Sequence, residues 1–187
     1  MMLSEMRRRA AATVLLIALA GLAAAERAGA IAITGTVTGG AALSVSSTGS
    51  PSFSLTLNGV DQTVSYTLPA QAIDPRGSGA GWNLTLTSTT FTDASSHTLS
   101  TTASTIASVA MACVGGNSCT AATNSITYPM TVPAAATAPA AVKVFNSALN
   151  TGMGKLTVTP TINVAIPGNS YAGTYTSTLT VAAVSGP

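Results

Sequence analysis

Past residue 30, apolar and polar residues alternate in short runs. Between residues 156 and 166, Leu156, Val158, Ile162, Val164 and Ile166 fall on one parity, while Thr157, Thr159, Thr161 and Asn163 take the other. A strand turns successive side chains to opposite faces, so this run predicts a strand with one face buried and one wet. The same alternation marks Phe53, Leu55 and Leu57; Val64, Tyr66 and Leu68; Trp82, Leu84 and Leu86; and Tyr175, Leu179, Val181 and Ala183. In the third run Asn83, Thr85 and Thr87 take the polar side. Thr, Val, Ile and Tyr, which suit a pleated half-buried surface, dominate these segments.

Turn residues punctuate the runs at Gly39-Gly40, Gly49-Ser50-Pro51, Asn58-Gly59, the glycines from Gly77 to Gly81, Gly115-Gly116-Asn117, Asn150-Thr151-Gly152 and Pro167-Gly168-Asn169. Asn58-Gly59 is the sharpest of them, because both residues accept the positive φ of a two-residue hairpin turn. Two segments compete for helix, residues 104–112 and the alanine-rich residues 133–142. Pro133 and Pro139 reduce the second to a loop with at most one helical turn. Short strands at this spacing predict an all-β fold, a single antiparallel β-sandwich of Ig-like or jelly-roll-like type, over residues 31–187. The strands containing Trp82, residues 156–166 and residues 175–184 are expected to build its core.

Residues 1–30 read differently. Arg7, Arg8 and Arg9 precede an uncharged, mostly apolar stretch from Ala10 to Ala25, and Ala28-Gly29-Ala30 supplies a small-x-small site. That order is a secretory signal peptide, too short in its apolar part to span a bilayer, with cleavage expected after Ala30 and Ala32 as the rival site. Four of the seven Lys and Arg residues and two of the five acids lie before residue 31, which leaves three of each and no net charge. Arg76, Lys143 and Lys155 are scattered, so neither nucleic acid nor an anionic membrane surface is an expected partner. The only cysteines, Cys113 and Cys119, enclose Val-Gly-Gly-Asn-Ser. In an oxidising compartment they are expected to form a disulfide pinning a short hairpin, and such a ring adds only about 2 kcal/mol.

Little in the exported part points to catalysis. His97, the sole histidine, sits in the polar run Ser95-Ser96-His97-Thr98, and its possible acid partners are Asp61, Asp74 and Asp93. No nucleophile elbow is present, and no glutamate remains after residue 30 to build a carboxylate pair. No residues have metal-ligand spacing, so neither metal nor cofactor is expected. A strand pattern follows the glycine run Gly77-Ser78-Gly79-Ala80-Gly81, whereas a phosphate cradle needs a helix N-terminus there. The run reads as a flexible connection with Asp74 and Arg76 as a candidate ion pair across it.

The stretch Asp74-Pro75-Arg76-Gly77-Ser78-Gly79-Ala80-Gly81-Trp82-Asn83-Leu84-Thr85-Leu86 resembles the first motif of the WxL domain, a cell-wall-binding module of Gram-positive surface proteins. The segment from Ile166-Pro167-Gly168 through Tyr175 to Val181 is similar to that family's closing strand, with Val181 where a second tryptophan is expected. The resemblance spans residues 43–187. It implies a secreted, non-enzymatic protein held non-covalently at the surface of a Gram-positive bacterium, with peptidoglycan or another wall polymer as partner and Trp82, Asn83 and Leu84 as the candidate wall-binding motif. Trp82 has two readings, a platform for a sugar ring or a core anchor in phase with Leu84 and Leu86, and the phase favours the core. The alternative function is an extracellular filament or pilus subunit, in which residues 31–37 insert into a neighbouring copy's sheet by β-augmentation. Other surface proteins or copies of the chain are further candidate partners.

Overall fold

The computed structural model describes residues 34–47 and 49–187. The signal segment, both cleavage sites and residues 31–33 of the candidate donor strand lie outside that range. The chain divides into two compact units, Met1–Thr36 and Val37–Pro187, and every element below belongs to the second. Its strands are β1 (Ser44–Ser47), β2 (Gln62–Thr67), β3 (Ala70–Asp74), β4 (Trp82–Thr89), β5 (Ser104–Cys113), β6 (Met130–Thr131), β7 (Ala134–Ala135), β8 (Val142–Ser147), β9 (Gly154–Ile166) and β10 (Leu179–Ser185). There is no helix among the described residues.

The strands form two sheets packed face to face. The six-stranded sheet runs β1-β3-β9-β5-β6, with β2 also paired to β9; the four-stranded sheet runs β10-β4-β7, with β8 also paired to β4. All pairs are antiparallel except β4 with β7. β9 is the spine: its first half registers with β3, its second with β2, and β5 covers its other edge. This double pairing follows from a thirteen-residue strand whose inside and outside positions alternate without a break from Lys155 to Ile166, long enough to carry two partners end to end. Leu156, Val158, Ile162 and Val164 are fully buried. Each contributes about 1.5–3 kcal/mol on leaving water.

Several segments differ from the expectation. Residues 104–112 form most of β5, because a long ladder with β9 outweighs the helix propensity of their alanines. Residues 133–141 form the expected loop, holding the short β7 and no helical turn, and Val142 already opens β8. Phe53, Leu55 and Leu57 belong to no strand, and Asn58-Gly59 does not close a two-residue hairpin. Only Gly59 has positive φ there, and the Asn58 side chain accepts a hydrogen bond from the Val60 amide. The polar side of β4 is not wet either. Asn83 and Thr87 are buried with their side chains satisfied, Asn83 Nδ2 donating to the Gly186 carbonyl (2.8 Å) and Thr87 Oγ1 to that of Pro139 (2.7 Å).

Residues 114–129, which contribute no strand, are tied down by side chains. Asn124 Oδ1 accepts from the Asn146 amide (3.0 Å), and Asn146 Oδ1 accepts from the Ser125 amide (2.9 Å). The Tyr128 hydroxyl donates to the Val144 carbonyl (2.6 Å). These bonds do for a coil what a ladder does for a strand.

Candidate functional site

The Trp82-Asn83-Leu84 motif opens β4 in the middle of the sandwich. Trp82 and Leu84 have no exposed surface. The indole leans on Phe145 with centroids 5.5 Å apart, and its Nε1 donates to the Gly152 carbonyl at 2.9 Å. Gly152 has φ 69°, and a Cβ there would stand 2.0 Å from Ser147 Oγ and 2.8 Å from Trp82 Nε1. Only glycine lets the backbone approach that closely. In this arrangement neither apolar side chain of the motif presents a face to a polymer.

Asp74 and Arg76 form a bidentate pair, Nε to Oδ1 at 2.7 Å and the second guanidinium nitrogen to Oδ2 at 2.9 Å. Arg76 also donates to the Gly81 carbonyl (2.9 Å) and to Ser185 Oγ, so it fastens the glycine run to the end of β10. The hydrogen bond from Arg76 outweighs burial and holds the Asp74 carboxyl below the usual carboxylate range. The glycine run is packed instead of loose: the Gly79 carbonyl accepts from Asn150, and a Cβ on Gly81 would stand 2.5 Å from the Ser147 carbonyl oxygen. Cys113 and Cys119 are joined by a disulfide that closes the turn after β5.

The three acids of the described domain do not converge. Asp61 accepts from the Gly168 amide, Asp74 holds Arg76, and Asp93 holds His97. Asp93 Oδ2 meets His97 Nδ1 at 2.8 Å, and Oδ1 accepts from the amides of Ser95 (2.9 Å) and His97 (2.8 Å). Burial pushes the Asp93 carboxyl up, but the His97 and Ser95 hydrogen bonds together hold it below its ordinary range. The imidazole stacks on Tyr171 with centroids 3.8 Å apart and planes 12° from parallel. Among the described residues no hydroxyl is hydrogen-bonded to the ring.

What the residue pattern missed is the surface this pair supports. A groove of about 920 Å³ opens over the smaller core cluster of Leu99, Ala103, Val164 and Ile166. Residues 50–57 form one wall and residues 170–177 another. The chain has eight aromatic residues, and five of them line this groove: Phe53, Tyr66, Phe91, Tyr171 and Tyr175. Phe53 stacks on Tyr66 (6.1 Å) and meets Phe91 edge-on (5.9 Å). Tyr171 is 64 % exposed, and its carbonyl accepts from the Tyr175 hydroxyl at 3.1 Å. Burial raises the Tyr66 and Tyr175 phenols above their ordinary range, the Asp93 charge adding to the effect at Tyr175. Nine of the lining residues are Ser or Thr, and none is charged. Aromatic composition over the whole chain is low, which hid this concentration from any reading by segments.

The described residues thus form a helix-free sandwich with an open groove lined by five aromatic residues. Residues 43–185 match the family model described as WxL domain, surface cell wall-binding. The chain belongs to that family of cell-wall-binding modules of Gram-positive cell surfaces. No curated protein and no solved structure matches it. The protein is accordingly placed at the cell surface in association with the wall. No described helix is long and apolar enough to cross a membrane.

Proposed function

We propose that the domain attaches non-covalently to peptidoglycan as a binding and structural module, and that the aromatic groove is its wall-contacting surface. The observation that carries this is the gathering of five of eight aromatic side chains around one open groove. Phe53, Tyr66, Phe91 and Tyr175 are half-buried against the core cluster and form the floor, and Tyr171 stands exposed at the rim, where a large aromatic ring is open to a partner. Trp82, Asn83 and Leu84 serve attachment indirectly, by building the strand that holds the sheets together.

The test is sedimentation of the secreted protein with purified insoluble peptidoglycan, beside a size measurement of the free protein. The proposal expects a monomer that sediments with the wall, and loss of sedimentation in Tyr171→Ala with the fold intact. Unaltered sedimentation of a folded Tyr171→Ala would remove the groove from the account. Polymerisation of the free protein would instead favour the filament reading built on residues 31–37.

A further inference from the structure

We infer that the groove takes an uncharged glycan chain, the polysaccharide backbone of the wall, in preference to its anionic phosphate polymers or its peptide stems. The inference rests on the groove being the wall-contacting surface and adds the chemistry of what lies in it.

The lining excludes a polyanion. Phosphate polymers are gripped by Lys and Arg, and no cation lines the groove. Arg76 is committed to Asp74, Gly81 and Ser185, and Lys143 donates to the Pro187 carbonyl. The same lining offers little to a peptide stem, whose carboxylates and amines need opposite charges to pair with. A pyranose ring, by contrast, has apolar C–H faces and a rim of hydroxyls. It needs flat apolar surface flanked by small neutral donors and acceptors, and rings flanked by Ser and Thr are what residues 50–57 and 170–177 supply.

Tyr171 is the outer platform. His97 covers one face of its ring, and the side chain is nonetheless 64 % exposed. The Asp93 carboxylate locks the imidazole, and the Tyr175 hydroxyl holds the Tyr171 carbonyl. A ring fixed in advance loses little freedom when a sugar stacks on it. His97 is therefore a positioning residue for Tyr171.

The experiment uses peptidoglycan stripped of phosphate polymers, with three soluble competitors: the hexasaccharide of β-1,4-linked N-acetylglucosamine, a purified glycerol-phosphate polymer and a synthetic stem peptide. The hexasaccharide is expected to displace the protein equally at low and high salt, since an uncharged ligand releases no counterions. Tyr171→Ala should weaken both wall and hexasaccharide binding by about tenfold or more, while Tyr171→Trp retains them. His97→Ala should weaken both by a smaller factor with far-UV dichroism unchanged. If Tyr171→Ala abolishes wall binding but only the phosphate polymer or the stem peptide competes, the groove stands and the ligand class is wrong. If folded Tyr171→Ala binds the wall like the parent, the groove reading itself fails. Tyr171-dependent oligomers in the absence of glycan would assign the groove to a second copy of the chain and overturn the inference.

Discussion

Replacing Trp82 by alanine separates a motif that binds from a motif that folds. The indole is wholly buried against Phe145 and donates to the Gly152 carbonyl. Removing so large a side chain from a packed core costs about 3–5 kcal/mol. Leaving the Gly152 carbonyl without its donor costs about 1–3 kcal/mol more, and because both losses share one cavity a combined figure of about 4–6 kcal/mol is expected. A domain of this size has about 5–15 kcal/mol in all, so the variant sits at the edge of folding. Trp82→Phe keeps a ring beside Phe145 but loses the donor and part of the indole's volume, for about 2–4 kcal/mol. Urea unfolding followed by far-UV dichroism measures both, since the substitutions remove the only tryptophan fluorophore. Wall sedimentation of Trp82→Phe under conditions where it is folded should equal that of the parent. If Trp82→Ala keeps its stability within about 1 kcal/mol while wall binding disappears, the core assignment is wrong.

Three further outcomes follow from the same geometry. Val164→Asp places an unpaired charge on a fully buried face of β9, costs several kcal/mol, and should give no soluble, cooperatively unfolding protein in a thermal melt. Asp74 has a lowered carboxyl pKa in the folded state, so its contribution is complete above the unfolded value of about 4 and disappears as pH falls through the lower folded value; an acid titration of Asp74→Asn should therefore lack part of the parent's loss of stability below about pH 4. Reduction of the Cys113–Cys119 disulfide should cost about 2 kcal/mol, a fall of about 4–8 °C in Tm by calorimetry, and leave the fold intact.

The parts of the fold legible in sequence were those whose burial is one-sided and local. β9 and β10 alternate cleanly: the buried residues of β9 are the apolar ones, and in β10 Leu179, Val181 and Ala183 are half-buried against the core while the residues between them are exposed. β4 was legible only on its apolar face, because the burial of Asn83 and Thr87 depends on residues 139 and 186, far along the chain. β5 reads as helix until its partner is known, since Ser, Thr and Ala carry little periodicity and its ladder with β9 supplies the missing energy. β1 and β3 are too short and too rich in Ser and Ala to announce themselves. The groove was least legible of all. Phe53, Tyr66, Phe91 and the pair Tyr171 and Tyr175 come from four separate segments of the sequence, and each taken alone looks like an ordinary strand or loop aromatic.

Register along β10 explains why the family's named motif and the proposed binding surface are different places. Ser185 pairs with Trp82, Val181 with Leu86, and Leu179 with Ser88. Leu179 borders the groove, and Trp82 lies at the far end of the same ladder. Six residues of extended chain span about 20 Å, more than one sugar ring bound at Tyr171 covers. Val181, standing where a second tryptophan is expected, packs with Leu179 and Ala183 against the core cluster that contains Trp82, Leu84 and Leu86. A larger residue there would add volume at the edge of the core cluster, beside β4 in the same sheet. Valine at this place is therefore a smaller packing volume at a strand edge than a tryptophan would be, beside the core cluster that holds Trp82.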